Sequence, residues 1–133
     1  MIYPKYTGAN KIVNWAMVNI NSFRKIALSF PETTEQPHFE KPSFKAGKKI
    51  FATLDIKNKL ACIKLSAIDQ DVFSAYDKTI IYPVPNKWGK QGWTFINLQK
   101  VSRDMFADAL TTAYLQVATK KMASLIKTGL KDK

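Results

Sequence analysis

Lysines and tryptophans are the side chains of this 133-residue chain whose types and spacing indicate a chemistry. Seven lysines and a single acid, Asp55, lie between Lys41 and Lys64, in sequence that alternates like two short β-hairpins. A second stretch, from Lys78 to Arg103, holds five basic residues and no acid, with two tryptophans in a glycine-broken loop. Positive charge attracts polyanions, and flat aromatic rings can stack on bases. The pattern favours nucleic acid as a partner.

The overall charge of the chain also favours a polyanionic partner. Twenty-one basic residues against ten acidic ones leave a formal net charge of +11. The length fits one domain that buries about two thirds of its unfolded surface. Because 46% of the residues are hydrophobic, we expect the chain to fold rather than remain disordered.

Hairpin turns supply the candidate phosphate contacts. Lysines there neutralise phosphates and release counterions, which gives an affinity that falls with salt and does not depend on sequence. The predicted nucleic-acid-binding residues are Lys45, Lys48, Lys49, Lys57, Lys59, Lys87, Lys90 and Trp88. The alternative is a solvated hairpin edge, where lysine prevents edge-to-edge aggregation.

A small-molecule site is a second hypothesis. Tyr82, Trp88 and Trp93, with prolines between them, can line a concave apolar pocket beside a sheet. The alternatives are a proline-stiffened loop without a ligand and, for Trp93, which opens an alternating strand, a place in the core.

Catalytic and metal-binding patterns are missing from the sequence. The serines have no nucleophile-elbow context, and there is no glycine-rich phosphate loop. The only histidine, His38, has no cysteine near it, so zinc-type spacing is absent. We expect a non-enzymatic protein without a metal or cofactor.

The single cysteine and the apolar runs indicate the cellular compartment in which we expect the protein. Cys62 lies in the apolar run Leu60 to Leu65 and is typical of a core residue in a reducing compartment. The uncharged run from Ile12 to Phe23 is too short to span a bilayer. We expect a cytoplasmic protein without a membrane partner.

Hydrophobic periodicity predicts an α+β domain: an antiparallel sheet of about five strands with N- and C-terminal helices packed on one face. The order is helix, three strands, short helix, two strands, long helix. Residues 1–19 form an extension or helix lead-in, 20–119 the domain, and 120–133 a basic tail.

Local signals place these elements. Asn21 is available as a cap of the first helix, and a loop at 31–36 precedes an edge strand that begins near His38. Ser66 and Ser102 cap the later helices. The last helix runs on past Val117. One face of the short helix consists of Ile68, Val72, Phe73 and Tyr76, and its solvent face is acidic.

Several separated segments resemble the MmcQ/YjbR-like family of small bacterial proteins with a frataxin-like (CyaY-like) fold. They are Leu28–Glu32, Lys49–Leu54, Ile63–Ser66, Gly92–Ile96 and Ala113–Val117. The resemblance implies a double-wing arrangement and a predicted DNA-binding role, with no catalytic motif. The wings would be the turns at Gly47-Lys48 and Ile56-Lys57-Asn58, or the loop from Pro83 to Gly92. Iron handling, which a frataxin-like fold also suggests, would need an acidic ridge that this sequence lacks.

Overall fold

The structure, a computed structural model, describes the backbone of residues 18–131 and the side chains of residues 18–126. The helices are α1 (Ile20–Leu28), α2 (Ala67–Tyr76), α3 (Lys87–Lys90), α4 (Arg103–Val117) and α5 (Lys120–Lys131). The strands are β1 (Thr33–His38), β2 (Lys41–Ala46), β3 (Lys49–Asp55), β4 (Leu60–Lys64), β5 (Ile81–Pro83) and β6 (Trp93–Asn97). Most of the predicted extension, residues 1–17, lies outside the described residues.

The strands form one antiparallel sheet in the order β1-β2-β3-β4-β6-β5. The sheet has six strands rather than about five, because residues 33–36 of the segment predicted as a loop at 31–36 belong to the edge strand β1. It joins β2 through a two-residue turn in which Phe39 and Glu40 have φ values of 51° and 68°. Tight hairpin turns of this type usually carry Asn-Gly or Asp-Gly, so the sequence gives no sign of this one.

One face of the sheet forms the core. Residues directly opposite on neighbouring antiparallel strands point to the same face, and Ala52, Ile63 and Thr94 are aligned in this way. All three are fully buried, as are Leu54 and Ile96 two residues along their strands. Helix α4 packs across β3 and β4 on this face, and α1 contacts β1. This arrangement confirms the α+β fold with helices against one face.

Helix caps follow the predictions with one exception. Ser66 and Ser102 accept hydrogen bonds from the backbone N–H groups of Asp69 and Met105, as expected for N-caps. The cap of α1 is Asn19 rather than Asn21, since the Asn19 side chain accepts from the N–H of Ser22 at 2.8 Å.

The last helix is two helices. The prediction of one continuous helix past Val117 was wrong, because Ala118 is extended, with ψ 150°. Thr119 then starts α5, its hydroxyl accepting from the N–H of Met122 at 3.2 Å. The segment predicted as a basic tail is therefore helical as far as Lys131.

Helix α2 turns its apolar stripe outward. Ile68, Val72 and Tyr76 are 76%, 64% and 66% exposed. Phe73, by contrast, packs against the core cluster. The prediction of an apolar face opposite an acidic solvent face was wrong, because α2 packs along the edge strand β5 rather than across the sheet and leaves most of this apolar face exposed to solvent.

Candidate nucleic-acid interface

The second face of the sheet is partly open. Thr53, Cys62, Phe95 and Tyr82 are opposite one another on β3, β4, β6 and β5, so they share a face. Each is half-buried, whereas their neighbours on the core face are fully buried. We call this second surface the open face.

A groove of about 330 Å³ lies on the open face. Ile50, Thr53 and Cys62 supply its strand residues. Trp88 from α3 and Trp93 from β6 line one side, and His38, Phe39 and Lys41 from the β1–β2 turn line the other. Trp88 is 49% exposed and Phe39 is 85% exposed. The groove is therefore aromatic on both sides and open to solvent.

The polar groups of the groove have spare hydrogen-bonding capacity. The Thr53 hydroxyl, the His38 ring and the two indole N–H groups make no hydrogen bond to any residue that the structure describes. Burial of such groups costs free energy unless a partner is supplied. They can therefore bind the polar edge of a ligand without breaking an internal contact.

Cations lie beside both tryptophans. The Lys87 ammonium is 5.8 Å from the centre of the Trp88 ring, and the Lys64 ammonium is 5.5 Å from that of Trp93. Lys64 also donates to the carbonyl oxygen of Gln91. At the other side of the groove, Lys41 pairs with Asp55 at 3.6 Å. The aromatic surface therefore adjoins positive charge.

The predicted lysines divide between the two ends of the sheet. Lys48 and Lys49 follow the Gly47 turn, at the end where α3 carries Lys87 and Lys90. We call this the α3 end. Lys45, opposite Ile50, is on the open face near it. Lys57 and Lys59 are in the β3–β4 turn at the opposite end, about 20 Å away by the length of a seven-residue strand.

None of these lysines is neutralised by a carboxylate of the described part of the chain. The ion pairs there join Arg24 to Glu35 and Lys41 to Asp55. Asp55 lies close to the β3–β4 turn, but its carboxylate accepts from the side-chain amide and backbone N–H of Asn58. These bonds, the side-chain amide first, lower the pKa of Asp55. The turn lysines remain available for an external anion.

Gln70 positions the tryptophans, and sequence reasoning missed it. From α2 its side-chain amide donates to the carbonyl oxygens of Gly89 and Trp93 at 2.9 and 3.3 Å and to the Thr94 hydroxyl at 3.0 Å. These bonds tie α3 to β6. A lone glutamine on a short helix carries no signal of such a role.

The remaining sequence candidates are placed differently. Trp93 is half-buried on the open face rather than in the core. Tyr82 lies outside the Trp88–Trp93 groove. It lines a separate surface pocket with Asp71 and Ser74, and its ring contacts that of Phe95. The structure thus brings two of the three predicted pocket residues together.

The Cys62 thiol borders the groove, and burial raises its pKa from 9.0 to about 11. Because the fold favours the protonated thiol, alkylation at about pH 8 should be about a hundredfold slower in the folded than in the urea-unfolded protein. The folded-state rate should rise about tenfold per pH unit until pH approaches 11. Mass spectrometry after timed quenching measures both rates. Equal rates in the two states would contradict the raised pKa of Cys62.

The YjbR family model matches residues 28–116, more than half of the chain. The chain belongs to the YjbR family. This confirms the resemblance that the separated segments of the sequence indicated.

The YjbR-family protein also resembles a solved structure. It is the crystal structure of Deinococcus radiodurans protein DR2400, which has a DUF419 domain and whose sequence is 19% identical to that of this chain. The match covers 84% of this chain and 89% of that chain, with a TM-score of 0.67. At this identity the likeness concerns the fold. No curated protein matches the chain.

None of the helices within residues 18–131 has the length and apolar character needed to cross a membrane. In the same part of the YjbR-family protein, no three His, Cys, Asp or Glu side chains come together in a way that would hold a metal ion.

Proposed function

We propose that this YjbR-family protein is a non-enzymatic, cytoplasmic protein that binds DNA or RNA through phosphate contacts with little sequence preference. One observation carries the proposal: Trp88 is 49% exposed on the groove rim, between Lys87 and Lys90, which are both exposed. An accessible ring between two cations can stack on a base while the ammonium groups bind the adjoining phosphates.

Charge supports the same role. Lysines that keep no carboxylate partner within the described residues contribute their full field to an approaching polyanion, and counterion release then drives binding. At the α3 end these are Lys48, Lys49, Lys87 and Lys90, with Lys45 on the open face. Lys57 and Lys59 can join only if a strand crosses the whole sheet.

Oligonucleotide titration tests the proposal. Fluorescence anisotropy with labelled single-stranded and duplex oligonucleotides should give a dissociation constant on the order of 1 μM or weaker at physiological salt. The logarithm of the association constant should fall linearly with the logarithm of salt concentration, because phosphate contacts release counterions. Sequence scrambling should change it little. Failure of both forms to bind at low salt would overturn the proposal.

A small-molecule role is a second candidate because Trp88 and Trp93 line one groove of about 330 Å³, which is within the size range of ligand pockets. An aromatic compound that fits there should raise the melting temperature, and Trp88→Ala should remove that increase. A broad panel of aromatic compounds that leaves the melting temperature unchanged would count against this role.

A further inference from the structure

We propose that the groove on the open face receives one unstacked base of a single strand, which stacks on the aromatic lining provided by Trp88 and Phe39, while the strand's phosphates stay outside on the α3-end lysines. The inference rests on the proposed nucleic-acid binding and specifies the chemistry: a planar aromatic ring attached to a phosphate.

The shape of the groove favours a single base. Its lining includes aromatic residues from two different elements, Trp88 of α3 and Phe39 of the β1–β2 turn, together with Cys62 and Thr53 on the strands. A planar ring that enters a recess lined in this way can gain stacking contacts. In a duplex the bases are already stacked and paired, so their faces cannot reach a recess of this kind without unpairing.

The unused polar groups favour a base over an aliphatic ligand. The Thr53 hydroxyl and His38 ring can each hydrogen-bond a donor or an acceptor, and the indole N–H groups add two donors. Every base has donors or acceptors on its edge, so these groups can bind any of the four. This agrees with the low sequence preference of the proposed function.

The distribution of charge sets the orientation. Lys87 and Lys90 are exposed on α3, beside Trp88 and outside the groove. Among the residues that the structure describes, Lys41 is the lysine that lines the groove, and it is already paired with Asp55. A phosphate therefore meets available ammonium groups at the rim, and the uncharged ring of the same nucleotide enters the groove.

Cys62 is a built-in reporter of occupancy. We expect an oligothymidylate of about ten nucleotides, at saturation, to slow alkylation of Cys62 by a small maleimide about tenfold. The corresponding duplex should leave the rate within about twofold, because its bases stay paired. Thymidine monophosphate, which carries the same ring and one phosphate, should slow the reaction only at a much higher concentration.

Variants locate the stacking residues. Trp88→Ala and Phe39→Ala should each weaken single-strand binding about tenfold, the loss expected from one stacking partner. Tyr76→Ala is the matched control, since this ring is also exposed but lies on α2, outside the groove. It should leave affinity unchanged.

Anisotropy and the Cys62 alkylation rate together distinguish the base pocket from the proposed phosphate binding. Strand binding by anisotropy with an unchanged Cys62 rate would overturn the base pocket and leave phosphate binding intact. Protection by thymidine monophosphate without strand binding would support a pocket for free nucleotides and overturn the polymer role. If neither the strand nor the mononucleotide protects Cys62, the inference is wrong.

Discussion

Replacing Gly92 with alanine should lower the free energy of unfolding by about 3 kcal/mol or more. Gly92 has a φ of +107°, a conformation that residues with a Cβ rarely adopt. A Cβ there would lie 1.9 Å from the carbonyl oxygen of Leu65, and the Leu65 N–H donates to the Gly92 carbonyl at 3.0 Å. A backbone oxygen cannot rotate away, so β4 and β6 must separate at the α3 end.

Urea denaturation followed by far-UV circular dichroism measures this loss. Gly47→Ala is the matched control, because Gly47 also has a positive φ, +63°, but its added Cβ would meet the flexible end of Met122 at 2.9 Å. We expect that change to cost only about 1–2 kcal/mol, the penalty of a left-handed residue. Equal costs for the two variants would contradict the close backbone approach at Gly92.

Removal of four lysines at the α3 end should remove most of the salt dependence of strand binding. Changing Lys48, Lys49, Lys87 and Lys90 to glutamine removes four candidate phosphate contacts. For a single strand, each contact contributes about 0.7 to the slope of the logarithm of the association constant against the logarithm of salt concentration. The slope should therefore fall by about 3. All four are exposed, so the fold should remain intact.

The structure offers a matched control of equal charge. Lys57, Lys59, Lys78 and Lys100 are also exposed and lie at the opposite end of the sheet, beyond the reach of direct contact with the α3 end. Their replacement by glutamine should lower the slope by less than about 1, since charges about 20 Å away are screened at physiological salt. Equal effects of the two quartets would show that net charge, rather than the α3 end, determines binding.

Much of the fold could be predicted from local signals. The caps at Ser66 and Ser102 are read from side chains that satisfy free N–H groups, and such chemistry acts over three residues. The β1–β2 turn could not be predicted, because Phe39 and Glu40 adopt the left-handed conformation without a residue type that favours it. The outward stripe of α2 depends on where that helix packs, which periodicity does not encode.

The site was predicted in its composition rather than its arrangement. Charge and aromatic content predicted Trp88 and the lysines beside it as binding residues, and the structure places Trp88 on the groove with exposed lysines next to it. The separation of Lys48 from Lys57 follows from their positions at opposite ends of one strand, and the exclusion of Tyr82 follows from strand order, in which β6 lies between β5 and β4. Contact between the β1–β2 turn and the groove is a tertiary feature without a sequence signal.

Prolines in both outermost strands have a consequence for self-association. Pro37 in β1 and Pro83 in β5 each lack the N–H that a further strand would need, and β5 is only three residues long. A strand of a neighbouring molecule therefore finds a missing hydrogen-bond donor on either edge, which disfavours extension of the sheet into fibrils. A cationic, aromatic surface can thus stay exposed without pairing between the sheets of neighbouring molecules, and binding partners can approach the open face rather than the sheet edges.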